Sequence, residues 1–358
     1  MVLIPQADLY QLAFSCLSRV GCSQPEADRV ARHLVDSNLA GHDSHGVGML
    51  PLYLASVRRG GLKLNQSPRL VTDFGAVLVY DGERGFGHSA ARTVLDAAMQ
   101  RARELGVALV SLRNSGHLGR IGDHGEYVAQ AGMASLMLVN AVGRPPTVAP
   151  FGGLQARLAS NPFCLAYPAI DGQAPIVLDA ATAAIAVGKA RVAKANGLEL
   201  PAGLLLDDAG QPTTDPRFAL GDPQGAILPF GLHKGSGLGL FCDLFAGALM
   251  GGETIQPGNG NQERMAAANN LFAVVINPQS LGDTAAAHAE ARALLDYFRS
   301  ARPADPDQLV MVPGENEART RAQRLEVGIE LDVQTWSQLV ALTTSLGVSC
   351  PEPATSLA

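Results

Sequence analysis

Seven short apolar runs between Gly- and Pro-rich loops constrain this chain more than any other feature. They lie at residues 76–80, 107–112, 134–140, 163–167, 176–179, 226–230 and 271–276. Each is bounded by turn formers and rich in β-branched or bulky residues, the pattern of a strand. Helical periodicity separates some of them, at 88–104, 182–195 and 235–250. Two strand pairs, however, follow one another with no helix between. A parallel sheet needs a crossover for every pair of strands. The irregular spacing therefore predicts a mixed α+β sheet and not a regular βαβ alternation.

Helices frame the strand-rich stretch. Leu9, Leu12, Ala13, Cys16, Leu17 and Val20 share one helical face, and Gly21 ends that run. Ser23-Gln-Pro-Glu26 has the form of a capping box, which predicts a second helix up to Ala40. The tail repeats the texture at 285–300, 315–328 and 332–346, with Asp332 as N-cap and Gly347 just past the end. The expected organisation is a helical domain from residues 1–75 with 285–358, around a sheet domain at 76–284.

Composition removes several function classes. Of 358 residues, 47% are hydrophobic and 17% charged, ample for a core and unlike a disordered chain. The net charge is −6, and Lys and Arg are scattered without interleaved aromatics, so no nucleic-acid partner is expected. An anionic substrate is compatible with this balance if the pocket supplies a local cation. The five cysteines show no paired spacing and read as buried thiols of a reducing compartment. The first residues lack a basic n-region, and no run approaches the ~20 apolar residues of a membrane helix. The reading is a cytoplasmic protein with no membrane partner.

Four polar constellations stand out. Gly85-Phe-Gly87-His-Ser-Ala90 matches a dinucleotide-binding fingerprint, but the next strand ends in Arg113-Asn114, without the acidic residue that would hold a ribose. A tight turn into a helix is the preferred reading. His42-Asp43-Ser44-His45-Gly46 places imidazoles just past a helix end; His carries protons near neutral pH, and a hydroxyl can fix its tautomer. Asn114-Ser-Gly-His117-Leu-Gly-Arg120 follows a strand; glycines allow close backbone approach, and Arg120 could clamp a carboxylate bidentately. His124, further on, reads as a helix-surface residue. Finally, Phe230-Gly-Leu-His233-Lys234-Gly-Ser-Gly237 combines a helix N-terminus with a lysine, suited to phosphate. His42, His45, His117, His124 and Asp123 could together hold zinc or manganese, but no H-E-x-x-H spacing appears, so no metal is expected.

Taken in order, the segments GHDSHGVGMLPLYL, NSGHLGRIG, VAPFGG, SNPFCLAYP, VLDAATAAIAVGK, GQPTTDP, FGLHKGSGLGL, INP and VPGE resemble the malate/L-lactate dehydrogenase family of non-Rossmann fold. The resemblance runs through nearly the whole chain and is nearest to the hydroxycarboxylate dehydrogenase B branch, which acts on 2-oxo acids. It implies an α+β subunit with a central, mostly antiparallel cofactor-binding sheet, a homodimer, and NAD or NADP as cofactor. It implies His45 as proton donor oriented by Ser44, with His117 as the other acid/base candidate. Cofactor contacts carry over to Asn140, to Asp179, Ala180 and Ala181, to Lys234, and to Gly314, Glu315 and Asn316.

Two positions depart from the family pattern. Met49, counted with the substrate site, stands where many members have Arg, so either the carboxylate clamp falls to Arg120 or Arg144, or the substrate is bulkier and less polar. Ala183 replaces a Ser of the Asp-Met-Ala-Thr-Ser motif, removing a hydroxyl. The expected activity is interconversion of 2-oxo and 2-hydroxy acids by hydride transfer. The alternatives are reduction of cyclic imino acids on the same scaffold, a metal-dependent hydrolase, or a ligand-binding protein without turnover.

Overall fold

The computed structural model describes residues 1–195, 197–221, 223–259 and 268–353. The chain runs β1 (Val2–Ile4), α1 (Gln6–Arg19), α2 (Gln24–Leu39), α3 (Leu50–Arg58), β2 (Arg69–Phe74), β3 (Val77–Asp81), α4 (Gly87–Leu105), β4 (Val107–Gly116), α5 (Ile121–Gln130) and β5 (Ala134–Val142). It continues through β6 (Phe163–Tyr167), β7 (Ile176–Ala180), α6 (Val187–Ala195), β8 (Leu205–Leu206), β9 (Pro212–Thr213), β10 (Ala226–Ile227) and α7 (His233–Cys242). The last elements are β11 (Ala268–Ile276), α8 (Thr284–Arg299), α9 (Glu315–Val327), β12 (Ile329–Leu331) and α10 (Val333–Leu346).

Seven strands form the central sheet in the order β2-β3-β4-β11-β5-β6-β7. Five of its six pairings are antiparallel, and β3 with β4 is the parallel one. That pair is joined through α4, so the Gly85–Ala90 turn opens the crossover helix. The turn is sealed by its own chain. A Cβ on Gly87 would lie 2.3 Å from the Gly116 carbonyl oxygen and 2.4 Å from that of His117, and Gly116 N–H donates to Gly85 O. Glycine is needed there for close helix–strand packing, which supports the tight-turn reading.

One sheet face is covered by α4 and α5 over a core including Val94, Leu95, Val110, Leu112, Met137, Val139 and Leu271. On the other face Leu136, Leu165 and Leu178 stand in register across β5, β6 and β7 and remain exposed. A second core joins the two ends of the chain. Ile4, Leu9, Leu17, Leu34 and Leu54 pack with Ile329, Leu331, Leu339 and Leu342, and β1 pairs with β12. Helix α8 buries none of its residues. Strand β2, within the stretch 1–75 expected to be helical, joins the central sheet; residues 354–358 of the expected helical tail lie outside the described residues.

Several local expectations change. Ser23 is the N-cap of α2 but makes no side-chain cap bond; Glu26 instead accepts the Asn65 N–H at 2.8 Å, so the capping box is replaced by a tertiary contact. The run 226–230 forms a regular strand only at Ala226–Ile227, with Pro229 in an isolated bridge to Ala183. Helix α7 ends at Cys242 and widens into a π turn at Asp243–Gly247, where the buried Asp243 carboxylate accepts from Asn140 Nδ2 and Asn161 Nδ2. His124 is buried, not on a helix surface.

Candidate active site

Ser44 and His45 sit on a 3-10 turn, Asp43–His45, directly after α2. Three contacts fix that turn. Asn38 Nδ2 donates to Asp43, Asn38 Oδ1 accepts the Val47 N–H, and Arg324 of α9 grips Asp43 through two hydrogen bonds of 2.7 and 2.9 Å. Gly46 rests on Asn38, where any Cβ would overlap the amide. Ser44 Oγ lies 3.0 Å from His45 Nδ1.

His117 arrives from the sheet. The β4–β11 register slips between Asn269 and Leu271, and Asn114 takes φ +53 beside the slip. Bulges of this kind re-aim side chains at a sheet end. Asn270 Oδ1 accepts the Asn114 N–H, and Asn269 Oδ1 accepts the Leu118 N–H. Both asparagines donate in turn to Asn140, through its carbonyl and side-chain oxygens. The Asn140 amide nitrogen is taken by Asp243 and the Glu253 carbonyl. Asn140 was expected to contact a dinucleotide; its fully buried side chain is instead spent holding the bulge that delivers His117.

The rings of His45 and His117 stack at 5.7 Å with an interplanar angle of 12°. Each has Nδ1 against a hydroxyl: Ser44 for His45, and Tyr53 at 2.7 Å for His117. Neither Nε2 has a hydrogen-bond partner among the described residues, and both reach solvent. Burial pulls His45 down to about 4, with the charges of His42, His33 and Arg120 adding to it. Burial, then His45 and Arg144, holds His117 well below the usual imidazole range. Both rings are therefore neutral near pH 7.

Among the arginines expected at the substrate, Arg144 stands beside this pair, and its charge acts on Tyr53 and His117. It has no ion-pair or hydrogen-bond partner among the described residues. Arg191 of α6, which sequence reading passed over, lies close enough to depress Arg144 further. Helix α6 itself seats on the Asp43–His45 turn: a Cβ on Gly188 would lie 2.5 Å from Ser44 Cβ. Arg120 lies deeper, although its charge reaches His45. Its side chain is 2% exposed and pairs with Glu126 at 2.6 Å and Asp179 at 3.7 Å. A guanidinium buried this deeply requires carboxylates of its own chain, so the clamp expectation passes to Arg144. Met49 packs on the helical core and brings no polar group.

Three of the expected cofactor segments converge at the end of β7. Asp179, Ala180 and Ala181 close that strand; Val177 N–H donates to the Pro313 carbonyl, just before Gly314. The next residues pair with the approach to Lys234: Phe230 N–H donates to Thr182 O, and Ala184 N–H to Leu228 O. Ala183 is buried in that pairing. The Asp179 side chain is largely buried, and burial raises its carboxyl against Arg120 and the Gly122 N–H. The Glu315 carboxylate is occupied by Arg299 and the Val312 N–H. Lys234 is exposed and without a partner among the described residues, and Asn316 is exposed beside them. The small side chains of Ala180 and Ala181 leave room here, and the Lys234 ammonium stands in the first turn of α7, so the residues fit a dinucleotide.

His33, Asp123 and His124 form a buried triad whose donor atoms lie within 4.8 Å of one another. Three of the ring nitrogens and the Asp123 carboxylate are engaged in hydrogen bonds, while His124 Nδ1 is buried without a partner among the described residues. His33 Nδ1–H donates to Asp123 at 2.8 Å, His33 Nε2 accepts the Arg120 N–H, and His124 Nε2–H donates to Leu118 O. Arg92 adds a cation 3.6 Å from Asp123. Of the five groups that the metal reading grouped, Asp123 and His124 come together here, while His42 pairs with Glu317 and His45 with His117. His33 was legible in principle, because it shares a helical face with Val30, Leu34 and Ser37.

The family model for malate/L-lactate dehydrogenase matches residues 4–340. The chain is a member of that family. A malate/L-lactate dehydrogenase-type oxidoreductase is thus the class to which this site belongs. Among curated relatives, an L-lactate dehydrogenase of Cupriavidus necator is 41% identical over 341 residues, covering 95% of this chain and 97% of its own. Hydroxycarboxylate dehydrogenase B of Escherichia coli K12 is 38% identical, covering 95% and 93%. Among solved structures, a putative malate/lactate dehydrogenase from E. coli superposes with a TM-score of 0.90 at 37% identity, covering 97% and 96%.

Proposed function

We propose that the chain interconverts 2-oxo acids and 2-hydroxy acids with NADH or NADPH. One observation carries this reading: two neutral, parallel imidazoles turn unpartnered Nε2 atoms to solvent beside an arginine that no carboxylate neutralises. A 2-oxo acid needs a group that hydrogen-bonds and protonates its carbonyl oxygen and a cation for its carboxylate. The nicotinamide cofactor supplies the hydride. Asp179, Ala180, Ala181, Lys234, Gly314, Glu315 and Asn316 would hold it.

His45 hands a proton to the developing alkoxide, or takes it back in the oxidation direction, while Ser44 orients its ring. Arg144 holds the carboxylate. A bound anion raises the proton affinity of nearby imidazole, so substrate binding favours the protonated ring that reduction requires. A homodimer is part of the reading, supported by the exposed row Leu136, Leu165 and Leu178. Four buried, unbridged thiols support a reducing, cytoplasmic setting, and no described helix is long and apolar enough to cross a membrane.

The test is a substrate panel followed at the nicotinamide absorbance: lactate-, malate-, sulfolactate- and aryl-type 2-oxo acids with each cofactor, with cyclic imino acids alongside. Turnover of a 2-oxo acid, unaffected by chelator, is expected. Turnover of cyclic imino acids alone would reassign the substrate, and activity lost to chelator would reassign the chemistry.

A further inference from the structure

Tyr53 connects the site to a histidine that the sequence placed in a mere turn. Its hydroxyl lies 2.7 Å from His117 Nδ1 and 3.3 Å from His88 Nε2. Tyr53 and His88 are both buried, at 5% and 3% exposure. His88 Nδ1 is sealed from solvent with no partner. Gly119, at φ +74, lets the backbone pass against the rings of His33 and His88, where a Cβ would overlap both.

These contacts leave a small number of proton arrangements. A neutral imidazole carries one N–H, and a phenol donates one hydrogen bond while accepting others. If His117 donated Nδ1–H to Tyr53, the phenol would donate to His88 Nε2, and the His88 proton would sit on Nδ1. That N–H would be buried without an acceptor. If His88 carried Nδ1–H while Tyr53 donated to His117, the same orphan would remain, and Nε2 would face the phenol with a lone pair. If His117 Nδ1–H and His88 Nε2–H both donated to Tyr53 O, the buried phenol O–H would have no acceptor among the described residues; the remaining arrangement runs His88 Nε2–H to Tyr53 O, then Tyr53 O–H to His117 Nδ1. It leaves only a bare lone pair on His88 Nδ1. Orphaned buried N–H groups are the rarer and costlier defect.

We infer that Tyr53 and His88 lock His117 as a neutral imidazole with its proton on Nε2, a fixed hydrogen-bond donor toward the substrate oxygen, and so leave His45 to carry the proton. Protonating His117 would require reversing the phenol and moving the His88 proton to its sealed nitrogen. His45 has no such restraint. Its partner Ser44 is exposed, and a hydroxyl there can turn to accept an Nδ1–H as readily as donate. The two stacked rings, alike in pose, are thereby given different work. Tyr53 and His88 are positioning residues, and the inference rests on the oxidoreductase reading only for what His117 donates to.

The decisive measurement is the ring-nitrogen NMR spectrum of the full chain labelled with nitrogen-15 at histidine, which reads tautomers without any turnover. The expected result is His117 with a protonated Nε2 and a bare Nδ1, unchanged as pH falls from 8 to 5.5. A protonated Nδ1, or a ring that titrates in that range, overturns the lock. Tyr53→Phe keeps the ring and removes the hydroxyl; His117 should then populate both tautomers, and kcat should fall ~10–100-fold with the cofactor KM unchanged. His88→Gln, whose amide can still donate to Tyr53, should retain most of kcat, whereas His88→Leu should resemble Tyr53→Phe. Wild-type kcat and tautomer in folded Tyr53→Phe would also overturn it. Failure of the wild type on every 2-oxo acid would sink the activity reading while leaving the tautomer result intact.

Discussion

His45 and His117 face each other with ring centroids 5.7 Å apart, although one follows a helix and the other a bulged strand. That pairing makes single replacements informative. His45→Ala is expected to lower reductive turnover by ~10²–10⁴-fold while dinucleotide binding, followed by fluorescence, survives. His117→Ala should cost ~10²-fold, the scale of one lost donor to a developing oxyanion. Full turnover in His45→Ala would hand the proton to His117.

Arg144 gives a second test. Its replacement by Ala should raise the substrate KM ~10–100-fold, with the cofactor KM little changed, because a charged hydrogen bond to the carboxylate is lost. Arg144→Lys should recover only part, since an ammonium lacks the planar fork. An unchanged KM in Arg144→Ala would send the search for the carboxylate partner to Arg191.

Stability should fall in acid before the carboxylates titrate. Burial holds the fully enclosed His124 at about 4, and His88 and His117 are also lowered, against ~6.5 in an unfolded chain. Between those values the unfolded state binds protons that the folded state refuses. The folding free energy therefore declines as pH drops through 6.5, by up to ~1.4 kcal/mol per pH unit for His124, and that contribution levels off below 4. Asp123 adds a later loss. Burial raises its carboxyl, but His33 outweighs burial and holds it below the ordinary range, so its contribution is present above ~4 and disappears as pH falls further. Urea midpoints from pH 8 to 3 measure this; a flat profile from 7 to 4 would contradict it.

Gly87→Ala separates the two readings of the Gly85–Ala90 turn. A methyl there meets two backbone oxygens that cannot rotate away. The expected outcome is a loss of about 2–4 kcal/mol in stability, together with lower kcat from a displaced His117. A variant of wild-type stability that has lost only dinucleotide binding would identify the turn as a phosphate loop.

Much of the architecture was legible because it is local. The strands at 163–167 and 176–179, the helices at 7–20 and 285–300, and the Asp332 and Gly347 caps rest on side-chain period and turn chemistry within a few residues. The strands β1, β2 and β12 and the helix α3 were not legible. β2 is exposed at every position, so it shows no alternation, and β1 and β12 exist because sequence ends over three hundred residues apart meet. Likewise Glu26 looked like half of a capping box because the competing Asn65 N–H is distant in sequence.

For the site, local sequence pattern marked Ser44-His45, His117 and Lys234 as candidates, and the family resemblance added Arg144 and the segment at 179–181. Their spacing along the chain says little about distance in space. Folding decided that His45 and His117 stack, that Arg120 is buried beside Glu126 and Asp179, and that Asn140 braces a bulge. It also brought Tyr53 and His88 against His117. The reason is that a hydrogen bond reports the angle and separation of two groups within a few tenths of an ångström, and one-dimensional order carries no such information; burial then makes each unpaired donor costly enough to choose among the arrangements.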